Sequence, residues 1–250
     1  MEHNPQREHY LKIHDEYSAH YYDDTSAIYR EQIIYETLFR GVDLDGATIA
    51  ELACGDGVNS EALLNRFPKA KTVGFDISSK ACREYQRRIG ATAVEIDLIE
   101  PIEPGHEVFD AAMIVGGLHH CVLGLETALN NISKLIKPGG GLLLCEPNAD
   151  FVLESLREYW YKKDRYFEQE SENALHHDEI YRMVAHKFKL VDVTYIGGPA
   201  YFIILNSLIL RVPLRLKRFL LKPLMFIEKY YNSMSGKKLS PSFIAHWIRR

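Results

Sequence analysis

Thr48-Ile49-Ala50-Glu51-Leu52-Ala53-Cys54-Gly55-Asp56-Gly57-Val58-Asn59-Ser60 reads as a short apolar strand, a glycine turn and the opening of a helix, in that order. Gly55 and Gly57 permit a sharp bend and let a ligand approach bare backbone. The helix that follows opens with N–H groups that have no partner within the helix. Outward from this unit the same alternation repeats. Short apolar runs predict strands at 48–53, 72–76, 92–96, 109–115, 141–146 and 189–195, with helical stretches between them near 58–67, 79–89, 122–136 and 177–187. Strands alternating with helices imply an α/β fold, a doubly wound and mostly parallel sheet covered on both faces. Such sheets bind ligands in the crevice beyond the strand carboxyl ends, where this glycine turn lies.

Asp76 closes the second strand nineteen residues after Gly57 and is placed to accept from a ribose. Turn, acid and topology together point to a nucleoside-containing cofactor. Gly55-x-Gly57-x-x-Ser60 nearly fits the dinucleotide fingerprint, which by itself is a weak signal. Glu51 discriminates better, because a pyrophosphate gains nothing from a nearby carboxylate whereas a cationic cofactor does.

Composition sets the outer bounds. The chain has 250 residues, 46% hydrophobic and 26% charged, which excludes disorder, collagen and low-complexity repeats. Cys54, Cys82, Cys121 and Cys145 lie far apart with no CxxC pair, so they read as buried or free thiols, and no metal site is expected. The N-terminal stretch has no apolar signal-like run, which places the protein in the cytoplasm. The net charge of −4 is uneven: residues 197–250 hold ten Lys or Arg and one acid, or +9, leaving −13 for residues 1–196. The acidic body argues against a nucleic-acid partner.

Five segments in continuous order over about 47–148 resemble the class I S-adenosylmethionine-dependent methyltransferases of the small-molecule type. Glu51 to Gly57 looks like the glycine-rich first motif, and Val73-Gly74-Phe75-Asp76-Ile77-Ser78 like the ribose-binding strand end. Glu95-Ile96-Asp97-Leu98 resembles the adenine-side motif, Phe109 to His120 the fourth-strand motif, and Leu135 to Gly140 the turn before the fifth strand. Ala53 stands where the family commonly has glycine, a departure small enough to imply little loss. The resemblance implies S-adenosyl-L-methionine as cofactor. It puts Glu51, Ala53 and Gly55 around the methionine portion, Gly57 also among the cofactor-binding residues, and Asp76 on the ribose. Ile77 then packs on adenine, Asp97 accepts from the adenine amino group with Leu98 beside it, and Val115 offers backbone near the sulfonium.

His119 and His120 follow the fourth strand, so at least one faces the cleft, either taking an acceptor's hydroxyl proton or only shaping the pocket. Asn148, at the rim after the fifth strand, either caps the turn or contacts the acceptor. Tyr17, Tyr21 and Tyr22 are candidates for a lid, with simple helix packing as the alternative. His176 and His177 read as helix-start or solvated residues.

Four regions are expected: a helical lid at 1–45 with a helix from about 26 to 40, the cofactor-binding core at 46–198, a helical insertion at 199–240, and a final core strand in 241–250. Residues 211–229 mix Lys and Arg with large apolar residues. That segment either lies on an anionic membrane surface, giving a peripheral contact, or packs on the body or on a second copy in a homodimer. The function expected is methyl transfer to a small-molecule acceptor, O-methylation of a sugar, lipid-linked or secondary-metabolite substrate. A non-catalytic cofactor-binding protein and a nicotinamide-dependent oxidoreductase are the alternatives.

Overall fold

A computed structural model describes residues 23–102, 108–155, 173–207 and 210–250. Among the described residues seven strands form one sheet: β1 (Thr48–Leu52), β2 (Lys71–Asp76), β3 (Ala93–Glu95), β4 (Phe109–Val115), β5 (Ile136–Pro147), β6 (Phe188–Ile196) and β7 (Ser242–Arg249), in the spatial order β3-β2-β1-β4-β5-β7-β6. Neighbours from β3 across to β5 are parallel, while β7 runs antiparallel to both β5 and β6. The doubly wound, mostly parallel sheet expected from the alternation is therefore present. The last strand is inserted between β5 and β6.

Alternation along the strands divides the interior into two cores. Ala50, Leu52, Ala112, Ile114, Leu142, Leu144, Phe243, Ala245 and Trp247 belong to one. It is covered by α4 (Leu125–Leu135) and α5 (His177–Val184) through Leu129, Ile132, Ile180 and Val184. Ile49, Ala111, Met113, Leu143, Cys145 and Ile244 belong to the other. The N-terminal helix covers this second core with Tyr29, Ile33, Ile34 and Leu38. The period of two is what the pleat dictates for a sheet buried on both faces. The remaining core helices are α2 (Val58–Arg66) and α3 (Ser79–Ile89).

The N-terminal helix α1 (Asp24–Tyr29) runs on through a π-helical stretch (Arg30–Tyr35) into a last turn (Glu36–Leu38). Asp23 caps it, accepting from the N–H groups of Thr25 at 2.8 Å and Ser26 at 3.2 Å, as a short acidic side chain does best at this position. The lid tyrosines Tyr17, Tyr21 and Tyr22 lie outside the described residues. Strand β5 begins earlier than the apolar run suggests. Phe109 pairs with Ile136 and Ala111 with Gly141, so Lys137 to Gly140 bulge out of the ladder as an irregular segment of the strand.

The expected insertion between the sixth strand and the last is helical. It contains a π-helical stretch (Tyr201–Leu205) and a 21-residue helix α6 (Leu214–Met234). One residue of its basic fringe is corrected. Lys217 is wholly buried, donating to Asp23 and to the Ser26 hydroxyl, so it anchors the helix to α1. Glu228 is likewise buried, accepting from the Tyr29 hydroxyl at 2.6 Å and from the N–H groups of Gly198 and Ala200. No helix among the described residues is long and apolar enough to cross a membrane.

Candidate functional site

The carboxyl ends of the parallel strands β2, β1, β4 and β5 lie side by side at one edge of the sheet, where they frame a candidate crevice, and each brings an acid or a glycine there. After β1 the chain turns through Ala53 at φ +50°, Gly55 at +54° and Gly57 at +89°. All three are left-handed, the region where an L side chain is disfavoured by about 1–2 kcal/mol. A Cβ on Gly57 would stand 2.7 Å from Ile89 Cγ1, so this glycine is required by helix packing as well as by its dihedral. A Cβ on Gly55 or on Gly116 would meet nothing within 4 Å, which leaves open space against the backbone on both sides of the crevice. Ala53 was read as a nearly free replacement for glycine; its positive φ shows that the cost lies in backbone strain rather than in bulk.

Glu51, on β1, is 1% exposed. Its Oε1 accepts from Asn59 Nδ2 at 3.1 Å, and Asn59 in turn accepts from the Tyr35 hydroxyl at 2.8 Å. Oε2 is buried with no hydrogen-bond partner among the described residues. Burial pushes the carboxyl up to about 8, against the lowering effect of Ser60 and Asn59. A buried carboxylate oxygen without a donor is costly unless a ligand supplies one. Asp76, at the end of β2, accepts from Gly55 N–H at 2.9 Å and Ser78 N–H at 2.8 Å, so it fixes the glycine turn to the second strand. Burial raises its carboxyl above the ordinary value. Each carboxylate oxygen keeps a second lone pair for a ligand hydroxyl.

Ile77 and Val115 are half-buried at the ends of their strands. Asp97 accepts from Ile99 N–H at 3.0 Å, which shapes the loop after β3. Leu98 is packed into the core, and its carbonyl accepts from Asn131 Nδ2 at 3.0 Å.

The β4 end holds a feature the motif comparison did not assign. Glu146, on β5, is fully buried, and its carboxylate gathers the loop after β4. Oε1 accepts from Gly117 N–H at 3.0 Å and Leu118 N–H at 2.8 Å; Oε2 accepts from His119 N–H at 3.3 Å and meets His119 Nδ1 at 2.8 Å. An acceptor-only carboxylate in that place requires the hydrogen on Nδ1, which leaves Nε2 with its lone pair free. The His119 side chain is 17% exposed, and its ring lies 4.0 Å from that of His120. An acid ending the apolar run Leu142-Leu143-Leu144-Cys145 was the signal available in the sequence.

Of its two readings, Asn148 takes the turn cap. It is 0% exposed, with Nδ2 donating to the carbonyls of Lys237 at 2.6 Å and Ser240 at 2.8 Å and Oδ1 accepting from Asp150 N–H. It ties the rim to the connector before β7 and presents no atom to an acceptor. His177 opens helix α5, the helix-start reading, and is buried rather than solvated. It accepts from Trp247 Nε1 at 3.4 Å and lies against Tyr181 and Phe243.

A sheet in this order, with an acid on β1, a left-handed turn after it and an acid closing β2, defines the class I methyltransferase architecture. Residues 49–140 match the sequence family described as a methyltransferase domain. Over those residues the chain is similar to methyltransferase domains, and its fold is the one shared by class I S-adenosylmethionine-dependent methyltransferases. It is 30% identical over 105 residues to a trans-aconitate 2-methyltransferase of Methylobacterium nodulans, covering 41% of this chain and 39% of that protein. Over 112 residues it is 32% identical to a ubiquinone/menaquinone biosynthesis C-methyltransferase of Syntrophotalea carbinolica, covering 43% and 47%. The match thus spans less than half the length of either relative. The N-methyltransferase NodS of Bradyrhizobium japonicum, solved with S-adenosyl-L-homocysteine, shares the fold at a TM-score of 0.56 and 12% identity, over 95% of this chain and 90% of that one.

Proposed function

We propose that the protein binds S-adenosyl-L-methionine and methylates a hydroxyl of a small-molecule acceptor, with His119 as the base. The observation that carries the oxygen preference is the Glu146–His119 contact of 2.8 Å. Attack by an oxygen requires removal of its proton, and an imidazole whose Nε2 carries no hydrogen can take it.

The residues present fit the cofactor. Glu51 offers an unpartnered oxygen to an ammonium, Asp76 offers lone pairs to ribose hydroxyls, and Gly55 and Gly116 leave room against bare backbone. Bound there, the cofactor supplies a methyl group already activated on a sulfonium. The chain's own work is then orientation and proton removal. Glu146 fixes the backbone of Gly117 to His119 and selects the imidazole tautomer; His119 Nε2 receives the acceptor's proton. Orientation of this kind contributes up to roughly 7–11 kcal/mol when the geometry is ideal. Sugars, lipid-linked compounds and secondary metabolites are the acceptor classes we favour.

The test is methyl transfer from isotope-labelled cofactor to matched sets of alcohols, amines and carbon acids. The reading expects product with alcohols, at a rate that His119→Ala lowers. Product with amines alone, at a rate His119→Ala leaves unchanged, would overturn the assignment of the base. Stabilisation of the fold by a nicotinamide dinucleotide and not by S-adenosyl-L-homocysteine would overturn the cofactor as well.

A further inference from the structure

Helix α6 has two unlike faces. Its inner row, Lys217, Leu221, Leu224, Met225 and Glu228, joins it to the body, with the two charged residues satisfied by Asp23, Ser26, Tyr29 and the backbone at Gly198 and Ala200. On its outer side Phe219 and Phe226 are each 79% exposed, Met234 70% and Tyr230 65%, with Leu216 and Ile227 near half. At about 100° per residue these six side chains fall in one strip along the helix. By the same spacing Arg215, Arg218, Lys222 and Lys229, all exposed, form a row along one edge of that strip. Glu228, the only acid in the helix, faces inward.

A contiguous apolar strip of this size is rarely left to water. Pairing it with the same strip of a second copy brings the two cationic rows into one two-fold interface, where like charges repel. An anionic lipid surface satisfies both parts at once: the strip enters the headgroup boundary while the row meets the phosphates. We propose that the outer face of α6 docks the protein on an anionic membrane surface. The helix lies flat on it, since it is not apolar enough to cross. Asn148 holds the connector after α6 against the end of β5, and Lys238 O accepts from Val152 N–H at 2.8 Å. Docking therefore sets the rim of the crevice at a fixed place relative to the lipid. This proposal does not depend on the methyl-transfer reading.

The test is sedimentation of the full chain with vesicles of phosphatidylcholine alone or with about one-third phosphatidylglycerol, at low and at high salt. Binding is expected only to the anionic vesicles and to weaken as salt rises. Arg215→Gln/Arg218→Gln/Lys222→Gln should weaken it about a hundredfold, at roughly fivefold per charge. Phe219→Ser/Phe226→Ser should abolish it. These side chains are exposed, so circular dichroism and the melting temperature should stay as in the parent, and Lys217 is left intact. Absence of anionic binding at low salt, or binding that neither variant weakens, overturns the proposal. A dimer in light scattering that Phe219→Ser/Phe226→Ser splits, without vesicle binding, also overturns it and assigns the face to self-association.

Discussion

If Glu51 meets the cofactor's ammonium as proposed, binding is a proton-linked event. In the free protein its carboxyl sits at about 8, because burial outweighs the help it gets from Asn59 and Ser60. An ammonium brought to the unpartnered Oε2 needs the carboxylate, so at pH 7 binding must first expel a proton. One pKa unit is about 1.4 kcal/mol, so affinity for S-adenosyl-L-homocysteine should fall roughly tenfold per pH unit below 8. Calorimetry in buffers of different ionisation enthalpy should show release of about 0.9 proton per ligand at pH 7, as that pKa requires. Glu51→Gln should remove both the proton release and the pH slope, and weaken binding at pH 8 by roughly 10- to 100-fold, the range for a hydrogen bond to a charged group. Stability supplies a second check. A pKa raised from 4.5 to about 8 in the fold means that Glu51's contribution is whole below pH 4.5 and is lost as pH rises towards 8. Without ligand, the Gln variant should therefore outlast the parent at pH 8 by several kcal/mol, on the order of the pKa difference. An affinity constant from pH 6 to 8 with no proton released would refute the reasoning.

Three further outcomes follow from the same geometry. Glu146→Gln can still accept from Gly117 and Leu118, but its amide cannot hold the Nδ1–H tautomer of His119. Turnover should fall about 10²–10⁴-fold with the calorimetric affinity for S-adenosyl-L-homocysteine nearly unchanged. Ala53→Gly relieves a left-handed strain of about 1–2 kcal/mol and returns roughly 0.4–1 kcal/mol through the freer unfolded chain, so the melting temperature should rise by about 1–3 °C. His177 accepts from Trp247, and burial lowers its pKa from 6.5. The unfolded chain therefore takes up a proton that the fold refuses, and urea midpoints should drop as pH falls below about 6.5. His177→Gln should flatten that limb, leaving the smaller share of His246, which burial lowers likewise.

The sheet was legible because its strands are short and apolar on both faces, and because a glycine turn or an acid marks where several of them end. That β7 is a strand of the main sheet was readable from Phe243, Ala245 and Trp247, which share one face and enter one core. What escaped were contacts between residues distant in sequence. Lys217 looks like its neighbours Arg215 and Arg218 until Asp23, 194 residues away, is brought against it. Asn148 offers the same amide whether it meets an acceptor or the carbonyls of Lys237 and Ser240, and only the fold of the final connector chooses. His177 precedes two acids, a pattern that suggests solvent, but the neighbour that buries it is Trp247 on the last strand.

Glu51 and Glu146 show how one fold gives two buried carboxylates opposite work. Both lie at strand ends beside the same crevice, and both are about 1% exposed. Around Glu146 the chain supplies three backbone N–H groups and an imidazole, so its charge is stabilised by donors within the protein and the group serves to hold others still. Around Glu51 the Asn59 amide donates to one oxygen, and the other has no hydrogen-bond partner among the described residues. The first arrangement is complete without a ligand and positions His119. The second is completed only by a cation from outside. A carboxylate tolerated in that state costs the free protein stability, and the binding of a sulfonium nucleoside through its ammonium is what would offset it.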